Sequence, residues 1–502
     1  MRQNQIKWGA MLSYVLIVLN TLYGLLLTPF ILGHLGQSSY GVYKTITSMS
    51  SSLAVVDLGL GVTMTRYMAG FNAKGDKAGA GNFAAMLMIQ QGIISAVIMV
   101  IGAVAFFALP AVYGGTFTAQ ELDLAKKLFL ILVLNLLLRL FEGLLTGIVN
   151  GHEHFVFANG IKLTSLILRF SLLFLLLPIF SSPLLIVLLE TGICLVLIGI
   201  TAVYVVRKVG IRPRLIHWDK AIFKESLGYT LLMFVQTITI QFNGNVDNIL
   251  IGAKLGVTSV TVYSVALTIF GMYESLSGSL ANIMLPNMAK RVAQGQTPAQ
   301  LQAGVEKAGR FQFLLLAAAL GGFVVLGKDF YRLWLGEGFE DCYLLTLILI
   351  VPVTFPMMQN VALSILRAQN KMRYRTVTLL ISCGVNITVS FVGLELWGYW
   401  GAALGTACAT FFNLLFMNWY YHKHLKFKIF RLFGNVMNRT WLCAAVAAVA
   451  TGVLHHWYSG TWLSFIVNAG VFLGIYGILL LSWGMEKEEK TLLIGRFARK
   501  TK

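Results

Sequence analysis

Charge is scarce in this chain. Asp, Glu, Lys and Arg together make up only 12% of its 502 residues, too few to keep a soluble surface of that size hydrated. Acid is scarcer than base, with 20 Asp and Glu against 39 Lys and Arg. Only five cysteines occur. They form no C-x-x-C pair and no metal-ligand spacing, which excludes a disulfide framework and a structural metal site. No G-x-x-x-x-G-K-[ST] run is present, and no hydrophilic stretch exceeds roughly 25 residues, so the chain has no room for an ATPase domain. No catalytic constellation and no cofactor motif is present, and the chain does not read as an enzyme. The first apolar run follows Arg2 and Lys7. It is too long for a signal-peptide core and lacks a small-residue cleavage site, so it is expected to remain as a membrane helix.

Apolar length is what the chain has in abundance. Hydrophobic residues reach 57% and the mean hydropathy is +0.76, at about 20 apolar residues per helical span. Windowing predicts an all-α polytopic membrane protein of about fourteen spans: 9–34, 39–65, 83–109, 124–149, 157–180, 183–206, 226–252, 258–284, 309–327, 343–366, 374–394, 398–421, 439–457 and 461–483. The second, seventh and eighth are polar enough for hydropathy alone to miss. The net charge of +19 does not signal nucleic acid. Most of the basic residues, including Arg207, Lys208, Arg212, Arg214, Lys220 and Lys224 in one loop, fall on the side of the N-terminus. That asymmetry predicts an N-in, C-in protein of the bacterial cytoplasmic membrane. The basic stretch from His422 to Arg431 reads as positive-inside anchoring or as a segment lying on anionic lipid.

The segment Leu35-Gly36-Gln-Ser-Ser39-Tyr-Gly-Val42-Tyr43 returns 220 positions later as Leu255-Gly256-Val-Thr-Ser259-Val-Thr-Val262-Tyr263. At the same offset Met68-Ala69, Ala73 and Gly75 return as Met288-Ala289, Ala293 and Gly295. The repetition predicts two parallel six-helix lobes, residues 1–222 and 223–421, followed by a helix pair and basic tail at 422–502. Two like lobes around a cavity form the architecture of a secondary transporter.

Polar residues inside spans are costly and point to protein or water. Asn135, Arg139, Glu142 and Thr146 fall at i, i+4, i+7 and i+11, one stripe of the fourth span. Arg139 reads as a cation for an anionic substrate, oriented by Glu142, or as half of an i, i+3 ion pair sealing two helices. Gln236, Asn243 and Asp247 form a second stripe, either a cavity face with an ion site at Asp247 or an interhelical hydrogen-bonding face. Lys44 shares a face with Ser48, Ser51 and Ser52 and either enters the cavity or snorkels. Asp57 reads as structural. Arg169, Glu190 and Glu274 are further intramembrane charges without a sequence-visible partner, and Glu274 joins Asp247 as an ion-coupling candidate. Pro352 and Pro356 are hinge candidates in the tenth span. Lys44, Asp247 and Glu274 face Ser264, Leu27 and Ala54 at the repeat offset, so none is inherited from the common scaffold.

The run from Leu27-Thr28-Pro29 through Gly33-His34-Leu35-Gly36 to Tyr40-Gly41-Val42-Tyr43, followed by Asp57-Leu58-Gly59-Leu60, resembles the opening of bacterial polysaccharide-biosynthesis membrane proteins. Asp247-Asn-Ile-Leu-Ile-Gly252 and Tyr263-Ser264-Val-Ala266 resemble the same family's seventh and eighth helices. These are the lipid-linked oligosaccharide flippases of the multidrug/oligosaccharidyl-lipid/polysaccharide (MOP) exporter superfamily. The resemblance implies a MATE-like fold that moves an undecaprenyl-pyrophosphate-linked oligosaccharide, a cell-surface polysaccharide precursor, by alternating access. It implies membrane lipid, H+ or Na+ and glycan polymerase or assembly proteins as partners. Arg139 and Lys44 are then candidate pyrophosphate contacts. A multidrug or cation antiporter and a non-transporting scaffold of a glycan-assembly complex stay open. So does a relative dedicated to the peptidoglycan precursor, although that group carries a more cation-rich first helix than the uncharged first span here.

Overall fold

In the computed structural model of the chain, residues 2–53, 59–218, 220, 241, 244–369, 371–486 and 489–490 are described. Among them the backbone is helical without a strand. In chain order the helices are α1 (Arg2–Leu53), α2 (Leu60–Lys74), α3 (Lys77–Tyr113), α4 (Ala119–Gly151), α5 (Phe155–Leu176) and α6 (Pro183–Tyr204). They continue as α7 (244–255), α8 (Val257–Ala293), α9 (Pro298–Leu335), α10 (Asp341–Met358), α11 (Ala362–Ala368) and α12 (Arg373–Trp397). The last four are α13 (Tyr399–Leu425), α14 (Ile429–Met437), α15 (Thr440–Trp457) and α16 (Trp462–Leu479). Among the described residues, eleven helices are long and apolar enough to cross a membrane. The first expected span and residues 39–53 of the second lie in α1 on either side of a break at Gly36, and the seventh lies mostly outside the described residues. The eighth is helical within α8 but too polar to stand among the eleven.

The repeated glycines are where the backbone turns. Gly36 breaks α1 at φ 73°, and its equivalent Gly256 separates α7 from α8 at φ 82°. Gly75 and Gly295 both take φ 68° and end α2 and α8. Left-handed φ is open to glycine at little steric cost. The caps match bond for bond: the Gly75 and Asp76 amides donate to Asn72 O and Phe71 O, and those of Gly295 and Gln296 to Val292 O and Arg291 O. The repeat read from the sequence is therefore a repeat of turns.

The chain forms two compact units. The first comprises 1–264 with 390–402, and the second 265–389 with 403–502. In the first, α4 is started by a capping box in which Thr118 and Glu121 bond each other's backbone amides. Its C-terminal half carries Gly143, Gly147 and Gly151 at four-residue spacing, and α2 lies on that face. A Cβ on Gly61 would come within 3.0 Å of Gly143 O, and one on Gly147 within 2.7 Å of Gly61 O. The small residues let the two backbones meet, as membrane helices require where apolar burial gives no drive. That contact fixes α4, whose adjacent face carries the polar stripe.

In the second unit, α15 and α16 pack on α9. Phe472, Tyr476, Ala444 and Ala447 share a buried cluster with Phe313, Leu314 and Ala317, and Tyr476 Oη donates to Leu314 O at 2.8 Å. The basic stretch near 422–431 leads into the nine-residue α14, which buries Leu432 and Val436 and exposes Phe430.

Candidate functional site

The α4 stripe opens into a cavity of about 450 Å³ within the first unit, lined from α1, α4, α5 and α6. Its charged lining residues are Arg139, Glu142, Lys162, Arg169 and Glu190, with Asn20, Asn159, Ser165 and Cys194 among the polar ones. Three cations face two carboxylates, leaving a formal charge of +1.

Arg139 is held from below and open above. Its Nε donates to Asn135 Oδ1 at 2.9 Å, and buried Asn135 donates in turn to Thr191 Oγ1 on α6 at 3.1 Å. This chain orients the guanidinium but leaves its side chain 48% exposed. The i, i+3 pairing of Arg139 with Glu142 read from the sequence does not form. Arg139 Nη2 lies 3.7 Å from Glu190 Oε2, while Glu142 Oε2 faces Cys194 Sγ at 3.7 Å. The physical reason is reach: anchored through Nε to Asn135, the guanidinium extends across to α6 instead of along its own helix.

Glu190 also takes Arg169. Its Oε1 lies 3.1 Å from Arg169 Nη1, so one carboxylate bridges two guanidiniums from neighbouring helices. Arg169 Nε is buried without an acceptor. Arg169 and Glu190, partnerless in the sequence, are thus brought to the same site as Arg139. The signal was present in the hairpin: Arg169 lies seven residues before the end of α5 at Leu176, and Glu190 seven after the start of α6 at Pro183. Antiparallel helices joined by a short turn place such residues at one depth.

The remaining candidates are dispersed. Lys44 is half-buried with Nζ 5.3 Å from the Tyr40 ring centroid, and it is not among the residues lining the cavity. Asp247 is buried, where Tyr263 Oη donates to Oδ2 at 2.6 Å and Ser390 Oγ to Oδ1 at 3.2 Å. Its neighbour Asn248 donates to Ser48 Oγ and accepts from Ser264 Oγ. These bonds tie α1, α7, α8 and α12 together. Glu274 is exposed on α8. Gln236, Asn243 and Asp57 lie outside the described residues. Pro352 and Pro356 sit inside α10, which ends two residues beyond the second proline. Between them Thr354 Oγ1 bonds Ile350 O and Tyr273 Oη.

A smaller cavity of about 210 Å³ gathers Asp76, Lys77, His152, His154 and Lys208 where the ends of α2 to α6 meet. Burial, then the electrostatic influence of neighbouring His152 and Lys208, holds the His154 imidazole below its ordinary range. This end of the unit is cationic, in keeping with the basic loop that follows α6.

Comparison with known proteins bears on the whole arrangement. The family model described as lipid II flippase MurJ matches residues 61–473, a stretch that includes α4, α5 and α6. No curated protein sequence matches the chain. Among solved structures, a lipid II flippase MurJ in an inward closed conformation superposes with a TM-score of 0.72 at 12% identity, over 94% of this chain and 97% of that one. An inward-facing multidrug resistance MATE family transporter of the MOP superfamily gives 0.63 at 15% identity, over 83% and 95%. An outward-facing MATE transporter of the same superfamily gives 0.55 at 15%, over 86% and 96%. At these identities the superpositions speak for a shared fold.

Proposed function

The chain belongs to the lipid II flippase MurJ family, a family of lipid-linked flippases and not of enzymes, and from that premise we propose which lipid it moves and where it holds the headgroup. The proposed cargo is an undecaprenyl-pyrophosphate-linked oligosaccharide, carried from the cytoplasmic to the outer leaflet by alternating access. The observation that carries this reading is the cavity of the first unit. Two guanidiniums from α4 and α5 converge on one place inside a membrane protein, one of them half open and the other with a buried donor unused. Guanidinium is the side chain best shaped for paired phosphate oxygens. A volume of about 450 Å³ lies within the range of small-ligand sites, roughly 300–1,000 Å³. It suits a pyrophosphate with its first sugars, leaving the polyprenyl tail in the bilayer. Asn20, Asn159 and Ser165 supply hydrogen-bonding groups for the sugars. Lys44, outside this lining, is assigned no contact here.

The driving force in this reading is an ion gradient or the membrane potential, since the chain carries no nucleotide-binding motif. Of the two coupling candidates, Asp247 is engaged by two hydroxyls, which leaves Glu274 as the coupling residue in this reading. A second reading, in which lipid II itself is the cargo, is favoured by the family model's description. The test is paired. Proteoliposomes are loaded with a fluorescent lipid-linked oligosaccharide in one set and labelled lipid II in another, with proton and sodium gradients dissipated separately. Translocation of the oligosaccharide, abolished by Arg139→Ala, is the expected result. Translocation of lipid II alone selects the second reading, and movement of neither overturns both.

A further inference from the structure

We infer that Glu190 is a resident stand-in for the substrate's anion, which partly offsets the charge of the two arginines while the site is empty and must give way when a pyrophosphate arrives. The inference rests on the cavity reading proposed above and adds to it a residue that sets both affinity and release. Both oxygens of Glu190 are committed to guanidiniums, Oε1 to Arg169 at 3.1 Å and Oε2 to Arg139 at 3.7 Å. No other carboxylate forms an ion pair with either arginine among the described residues. Two guanidiniums and one carboxylate leave an excess positive charge, and Lys162 on the same lining adds to it.

A carboxylate bridging two cations has the geometry of a phosphate oxygen pair but half the charge of a pyrophosphate diester. In an empty cavity it keeps the like-charged arginines from repelling one another and holds them at one depth. The two bridges differ in strength. The Arg169 contact is short, while the Arg139 contact is beyond hydrogen-bonding length, and Arg139 is 48% exposed where Glu190 is 15% exposed. Arg139 is therefore the side that opens first to an incoming anion. Once a pyrophosphate spans both arginines, Glu190 lies beside it as a like charge, which weakens binding and favours release. Such competition keeps a carrier from holding its cargo too tightly to turn over. A side chain that merely oriented the arginines would instead strengthen binding.

The two roles predict opposite signs in one experiment. Farnesyl pyrophosphate, a short isoprenyl pyrophosphate, is titrated calorimetrically into the purified full-length protein, and flipping is measured on the same variants in proteoliposomes. Glu190→Gln should bind farnesyl pyrophosphate about tenfold more tightly, the size expected for removing one partly exposed like charge, and should flip more slowly. Asp123→Asn, on the same helix but outside the cavity lining and paired with Lys127, should leave binding unchanged. Glu190→Asp keeps the charge but shortens its reach, and it should tighten binding by a smaller factor. It carries the test if the glutamine variant unfolds early. Equal or weaker binding in the Glu190 variants, with thermal unfolding unchanged, overturns the inference. If in that case Arg139→Ala and Arg169→Ala have lost the probe, the cavity reading survives alone. If the arginine variants bind as well as the wild type, both ideas fall.

Discussion

Two arginine–carboxylate groups, one in each unit, are built from the same chemistry and finished differently. In the second unit Arg310 is buried on α9, with Nε and Nη2 donating to the two oxygens of Glu489 at 2.6 and 2.9 Å. Its remaining donors reach Asn435 O at the end of α14 and Gly484 O beyond α16, and Glu486 lies 3.5 Å from Nη1. Every nitrogen of that guanidinium has a partner. In the first unit Arg139 has one good hydrogen bond and a long ion pair, and Arg169 keeps a buried Nε without an acceptor. Saturation separates a clasp from a binding site. A fully satisfied buried arginine has nothing left to offer a ligand, while an incompletely satisfied one beside a cavity does.

The largest expected effect breaks the clasp. Arg310→Ala leaves Glu489 buried and unpaired and frees two helix-end carbonyls. Severing a buried pair from one side costs roughly 3–5 kcal/mol. A fall in midpoint of several degrees in a detergent-solubilised thermal unfolding assay, with a lower level in the membrane, is expected. A variant as stable as the wild type would show that the clasp contributes little. The same pair makes a prediction in pH. Burial pushes the Glu489 carboxyl up, but the hydrogen bonds and charge of Arg310 with the Glu486 amide outweigh it, and the net pKa is lowered. A depressed folded value means a contribution present above the unfolded carboxylate range, near 4.3, and lost as pH falls below it. In Arg310→Ala the buried carboxyl gains from protonation instead. The stability gap between wild type and variant should therefore narrow from pH 7 to pH 4, and a gap constant with pH would break the comparison.

Much of this contrast was open to sequence reading on one side and closed on the other. The stripe of Asn135, Arg139 and Glu142 lies on a single helix, where 3.6-residue periodicity reports directly on facing. The positive φ at Gly36, Gly256, Gly75 and Gly295 could be anticipated from the repeat, because only a shared turn accounts for glycines recurring at a fixed offset. What periodicity does not report is which neighbouring helix a long side chain reaches. It therefore paired Arg139 with Glu142, the nearest carboxylate in sequence, when the partner stands on α6. Arg310 and Glu489 are 179 positions apart. The two share no helix and no stripe, so nothing in either neighbourhood singled out the pair. Seven-residue symmetry about the α5–α6 turn did mark Arg169 and Glu190, and hairpin depth is the rule that recovers such pairs.

The smallest expected effect on stability belongs to the residue expected to matter most for transport, and it sharpens the comparison furthest. Arg139→Ala removes a half-exposed guanidinium whose ion pair is 3.7 Å long. Exposed pairs contribute roughly 0–1 kcal/mol, and Glu190 keeps Arg169 as a counterion, so no carboxylate is left alone. Asn135 loses one bond from Oδ1 but retains Thr191 through Nδ2. Thermal unfolding of this variant should thus stay within about 1 kcal/mol of the wild type, against the several expected for Arg310→Ala. A large loss of stability in Arg139→Ala would mean that the α4–α6 group is a second clasp, and the distinction between saturated and unsaturated arginines would fail. Wild-type stability together with lost flipping would place the cost of an incompletely paired cation where the model of a carrier needs it, in the binding step and outside the fold.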